Sequence, residues 1–185
     1  MTPREQNEYF ALRATIRERG TARVCVFAAG IVAWSAAAIA TAALANTPVA
    51  TLLPLLVLAS IFEAVFALHV GVERIGRYIQ VFHETERTGA PAGWEHAAMA
   101  FGRPAGAATL DALFTVPFLL AGLFNVMPAL ILAPSRVELI FVGGAHALFA
   151  LRVFVARHAA TTQRTVDLAR FAELRTKNSE LKTDI

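Results

Sequence analysis

Cysteine is nearly missing from this chain. Cys25 is the only one in 185 residues, which excludes an intramolecular disulfide and a thiolate-rich metal site. Charge is missing over a long stretch: Val24 to Phe62 contains no Asp, Glu, Lys or Arg, whereas the first 23 residues hold eight of them. Catalytic signatures are missing too. Ser35, Ser60 and Ser135 stand in no Gly-x-Ser-x-Gly setting, and the chain has no glycine-rich phosphate loop. Five scattered histidines form no His-Glu-x-x-His run and no paired Glu-x-x-His motif, so the sequence implies no metal and no cofactor. Asp111 is the one aspartate in the apolar segments, which excludes an aspartate-pair intramembrane protease. The expectation is a protein with no catalytic residues.

What is present is apolar surface. Hydrophobic residues make up 56% of the chain and charged residues 17%, too apolar a balance for a domain that meets water on all sides. The net charge of +3 and pI near 9.6 are read as orienting charges at a lipid bilayer rather than as a nucleic-acid footprint. Ala43-Leu44-Ala45 looks like a signal-peptidase site. The apolar stretch before it is too long for a signal core, and its flank mixes Glu5, Glu8 and Glu18 with arginines, so it is read as a retained helix.

About 20 apolar residues rising about 1.5 Å each cross a hydrocarbon core of about 30 Å. Four segments match that template, at about 24–45, 49–71, 107–132 and 137–155. Asn46-Thr47-Pro48 and Ala133-Pro134-Ser135 are turn signals, so the four pair into two helical hairpins. Pro117 and Pro128 are expected to kink the third. The fold class is therefore all-α: an integral membrane four-transmembrane-helix bundle, 24–156, flanked by an amphipathic segment 1–23, a central segment 72–106 and an amphipathic tail 157–185.

Fifteen Lys and Arg lie in those three flanks and only Arg136 in the turns. This places the flanks in the cytoplasm, with both termini inside a membrane of bacterial inner-membrane type. The central segment keeps apolar residues at helical spacing from Val72 to Phe82, breaks near Thr88-Gly89-Ala90-Pro91, and offers a short interfacial helix from Gly93 to Gly102. In the tail, Val166, Ala169, Phe171, Leu174 and Leu181 are the apolar residues among cations that Asp167, Glu173, Glu180 and Asp184 dilute, which favours docking on protein over lipid.

Ionisable groups within spans need a partner or a purpose. Glu63, His69, Asp111, His146 and Arg152 fall at similar depth and define a candidate buried polar cluster, with Glu63, Val70, Arg74 and Arg77 on one face expected to turn inward. The bland reading is a structural ion pair of Arg152 with Asp111 or Glu63; the sharper one is a proton or cation relay. On the third segment, Asp111, Thr115, Phe118, Gly122 and Asn125 form a stripe suited to helix contact. Small residues suggest helix packing, inside the bundle or at a subunit interface, at Ala29, Ala33, Ala37 and Thr41, and at Gly143 and Ala147. Two functions follow as expectations. The first is a non-enzymatic membrane scaffold or accessory subunit, as a homo-oligomer or with a membrane-complex partner. The alternative is a small transporter or channel using the polar cluster.

Overall fold

The structure is a computed structural model that describes residues 1–84, 93–101 and 110–183, with side chains at all of these except 99–101, 110–114, 178, 179 and 181–183. Every regular element in it is helical: α1 Pro3–Leu44, a 3-10 turn Pro48–Thr51, α2 Leu52–Ile79 continued by a π-turn Gln80–Glu84, α3 Trp94–Phe101, α4 Leu110–Ile131 and α5 Arg136–Thr183. The break expected at 88–91 lies outside the described residues.

Local chemistry sets the helix starts. Thr2 and Glu5 form a reciprocal capping box, the Glu5 amide donating to Thr2 Oγ1 at 3.3 Å and the Thr2 amide to Glu5 Oε2 at 2.7 Å. Ser135 and Glu138 repeat it at the head of α5, at 3.3 and 2.9 Å. Pro48 leads the 3-10 turn, where its missing N–H costs nothing, and Thr51 Oγ1 closes the turn on Pro48 O at 2.8 Å. Between α4 and α5, Ala133 adopts a left-handed φ of 49° before Pro134, and the two together end α4. α4 itself continues through both Pro117 and Pro128.

α1, α2 and α5 are long and apolar enough to cross a membrane. Composition thus points to a membrane location, and burial agrees. Val32, Ile39, Leu53, Leu56, Ile140 and Leu148 are all more than 60% exposed, a surface that water would penalise and lipid would not. α1 runs without interruption from the charged flank into the apolar stretch, and α5 from the apolar stretch into the tail. Neither boundary, at 23/24 or 156/157, interrupts the backbone hydrogen bonding.

The chain divides into two compact units. One comprises Arg23–Ala67 and Ala108–His158, the other Met1–Ala22, Leu68–Ala107 and Ala159–Ile185. The core of the first is built by Leu55, Leu58, Ile61, Phe62 and Val65 of α2, Phe118 and Ala121 of α4, and Phe149, Val153 and Ala156 of α5, with Phe27 and Trp34 of α1 against it. Phe62 is its hub, meeting Phe118 edge-on at 5.2 Å and Phe149 at 6.2 Å. Such ring pairs add about 1 kcal/mol each beyond the area they bury.

Close helix approach occurs at positions other than the expected small-residue strips. A Cβ on Gly30 would lie 2.5 Å from Ile61 Cγ2, so α1 meets α2 there. Ala29 and Ala33 are exposed and Ala37 half-buried, because α1 turns Val26, Phe27, Ile31 and Trp34 to the core instead, and these bury far more area than alanines. On α5, likewise, a Cβ on Gly143 would meet nothing within 4 Å and Ala147 is exposed, so neither strip carries the close contacts inside the first unit. Gly143 and Ala147 lie well around the helix from the buried line Val142, Phe149, Val153 and Ala156. The α4 stripe does pack inward, with Thr115, Phe118, Gly122 and Asn125 all buried and the Gly122 Cβ position 3.2 Å from Phe149.

Candidate functional site

In the first unit the apolar arc of α2 settles where its carboxylate goes. Leu55, Leu58, Ile61, Phe62 and Val65 take the core-facing side, which leaves Glu63 on the outside. The inward orientation expected for Glu63 is therefore corrected. Burying it would displace a large apolar residue and demand a partner inside the aromatic core. Glu63 is instead held by Arg152 of α5 in a two-point contact, Nε to Oε1 and Nη2 to Oε2, each 2.7 Å. The guanidinium also lies 5.5 Å from the centre of the Phe66 ring and 6.0 Å from that of Phe62. Fork geometry and ring contact fix the Arg152 rotamer from two sides.

His146 belongs to a different network. Its Nδ1 donates to Val142 O at 2.8 Å, leaving Nε2 to accept from Asn125 Nδ2 at 3.0 Å, while Asn125 Nδ2 also donates to Thr51 O at 2.8 Å. The donor pattern assigns a neutral imidazole with the proton on Nδ1. Asn125 is 3% exposed, and its amide ties α4 to the 3-10 turn and to α5 at once. Its importance was readable only as a lone amide in an apolar helix.

Of the five residues expected to cluster, the structure brings together Glu63 and Arg152, and joins His146 to Asn125. His69 sits half-buried in the second unit, and the side chain of Asp111 lies outside the described residues. No three His, Cys, Asp or Glu side chains converge to hold a metal ion among the described residues.

The second unit contains two ionic hubs that spacing along the sequence did not reveal. Asp167, 6% exposed, is bound by Arg77 at 2.7 Å, by Arg74 at 3.5 Å and by Gln163 at 2.8 Å. Burial pushes its carboxyl up, but the Gln163 and Arg77 hydrogen bonds and the charges of Arg74 and Arg77 outweigh that and hold it below the ordinary value. Phe171, one turn on, packs edge-on to Tyr78 at 5.6 Å and Phe82 at 6.3 Å. Arg175 then donates to Val81 O at 3.1 Å. Within the second unit the tail packs against α2 and its π-turn through Asp167, Phe171 and Arg175; of the expected apolar residues Phe171 makes this contact, while Val166 and Leu174 are 44% and 50% exposed.

Glu84 is the other hub. It ends the π-turn and accepts from the amides of Glu95 and His96 at 3.2 and 3.1 Å, capping α3. Arg13 of α1 reaches Glu84 at 3.7 Å and Glu95 at 2.6 Å. Tyr78 donates to Glu8 at 2.8 Å. Burial first, then that bond and the Glu8 charge, push its phenol up to about 12.

Compared with protein-family models, curated proteins and solved structures, the chain shows no significant match. Among the described residues the fold defines an all-helical protein with three apolar helices of membrane-crossing length.

Proposed function

We propose that this protein is a non-enzymatic integral membrane scaffold or accessory subunit. It acts through helix–helix contacts and through its polar flanks, in a membrane of bacterial inner-membrane type with both termini cytoplasmic. α4 serves as a fourth span beside α1, α2 and α5, since its 22 residues reach about 33 Å at about 1.5 Å per residue. The observation that carries the reading is the two-point Glu63–Arg152 contact, 2.7 Å at both points. A carrier needs a group that exchanges its ion or proton. A carboxylate locked to a guanidinium, which does not deprotonate, supplies register rather than exchange.

The competing reading, a small transporter or channel, makes the opposite demand on Glu63. Reconstituted into vesicles, the chain should give no proton or cation flux above protein-free vesicles. A flux that disappears in a folded Glu63→Gln variant would sink the scaffold reading. Its positive test is mild-detergent purification from native membranes, where a stable stoichiometric membrane complex is expected, built on this chain alone or with defined subunits.

A further inference from the structure

The Glu63–Arg152 pair is satisfied within the chain yet stands on its outside. The side chains are 49% and 43% exposed in the first unit. Around Glu63 on α2, Leu56, Ser60 and Ala67 recur at four- and three-residue steps and are all exposed; around Arg152 on α5, Leu148 and Val155 do the same. In the proposed membrane this face lies within the hydrocarbon layer, where half-exposed charge of either sign is costly.

We infer that the face of α2 and α5 centred on Glu63 and Arg152 docks a second copy of this chain about a two-fold axis along the membrane normal. The inference rests on the scaffold reading. Three features select a second copy as the occupant. The face carries one charge of each sign at a single depth, so a two-fold rotation about the normal sets the second copy's Arg152 against Glu63 and Glu63 of the second copy against Arg152. The in-chain contact uses only Nε and one Nη2 hydrogen of the guanidinium. Three of its five N–H groups and the outer carboxylate lone pairs therefore remain for a second pair. Finally, Ser60 and Ala67 flank Glu63 with small side chains that permit close approach, and the Ser60 hydroxyl is already spent on Leu56 O at 2.9 Å, so its burial leaves no unmet donor. The result is a ring of four alternating charges, shielded from lipid by Leu56, Leu148 and Val155 of both copies.

The test uses the full chain in lipid vesicles, in a Cys25→Ala background. Mixed in vesicles, a chain with a cysteine at Ser60 and one with a cysteine at Leu148, or a pair with cysteines at Ala67 and Val155, should form disulfide-linked dimers on mild oxidation at least about tenfold faster than chains with cysteines at Val32 and Ile39, both 70% exposed on α1. Neutralising one charge, Glu63→Gln or Arg152→Gln, should weaken dimerisation about tenfold or more by sedimentation in mild detergent, a factor worth about 1.4 kcal/mol. The exchange Glu63→Arg with Arg152→Glu should restore it, since both the internal and the crossed pairs re-form. Should a single neutralisation unfold the chain, the cysteine pairs still decide, because they leave both charges in place. Equal cross-linking of the Ser60–Leu148 and the Val32–Ile39 mixtures, or a monomeric wild-type chain in vesicles, overturns the dimer. A monomer that still resides in a stoichiometric complex with other membrane proteins overturns the dimer alone. Flux abolished by Glu63→Gln overturns the scaffold reading, whether or not the copies pair.

Discussion

Arg77 and Asp167 are 90 positions apart and meet at 2.7 Å with 3% and 7% of their side chains exposed. Through this contact the tail portion of α5 is held to the last turns of α2 by a buried charge pair. Breaking such a pair from one side strands the other charge.

Asp167→Leu should therefore destabilise the second unit by about 2 kcal/mol, because the buried Arg77 guanidinium then keeps only its 3.4 Å contact to the exposed Glu73. Limited proteolysis should then cut near residues 160–170 in the variant but not in the wild type. Arg77→Leu with Asp167→Leu should be less harmful than either alone. Additive losses in the double variant would show that the two do not act as a pair.

The same carboxyl gives a pH dependence. Its folded-state pKa lies below the ordinary value, so its contribution is fully present above about pH 3.9, the unfolded value, and fades as pH falls through the folded one. Acid should loosen the tail of the wild type over that window, as read by hydrogen exchange at 163–175. In Asp167→Asn the exchange rates, corrected for intrinsic chemistry, should lose that pH step.

At the alkaline end the relevant group is Tyr78. Its phenol is raised to about 12, above the unfolded value of about 10, so its contribution holds below about pH 10 and is lost as pH climbs towards 12. Tyr9 and Tyr78 are the two tyrosines. In Tyr9→Phe the phenolate absorbance should thus rise near pH 12. Glu8→Gln should move that midpoint down; an unmoved midpoint would rule out the Glu8 contact as a cause.

Gly30 and Gly143 should respond in opposite ways to one added methyl. At Gly30 the new carbon would sit 2.5 Å from Ile61 Cγ2, and overpacking of this kind costs about 1–3 kcal/mol. At Gly143 nothing stands within 4 Å, and alanine gains about 1 kcal/mol of helix propensity over glycine. Thermal unfolding in one detergent compares the two. Ile61→Ala, which removes Cγ1, Cγ2 and Cδ1, should recover part of the Gly30→Ala loss relative to Ile61→Ala alone, and no recovery would place the strain elsewhere.

The proposed orientation is tested by impermeant thiol labelling of intact cells, in a Cys25→Ala background. A cysteine at Thr47 should react and one at Ser179 should not, given fifteen basic residues in the three flanks against Arg136 alone in the turns. Labelling at Ser179 would reverse the topology.

Much of the architecture was legible from periodicity and punctuation. The turn at Asn46-Thr47-Pro48, the end of α4 at Ala133-Pro134 and the helix over Trp94–Phe101 are consequences of local backbone chemistry, and they appear where that chemistry puts them. The α4 stripe packs inward because its bulky member, Phe118, belongs in any core reached by that face. The small-residue strips take no part in the core of the first unit for the complementary reason: alanines tolerate contact but do not demand it, and Phe27, Ile31 and Trp34 won the inward side of α1.

By itself, the sequence determined that this chain is helical, apolar over membrane-length stretches and free of recognisable catalytic motifs, because those properties depend on composition and on neighbours within a few turns. Which charges meet was decided only by tertiary structure. Arg152 chose Glu63, His146 joined Asn125, and Arg77 found Asp167. Each choice depends on the rotation of one helix against another, and that rotation is set by the competition of large aromatic side chains for the core rather than by the charges themselves.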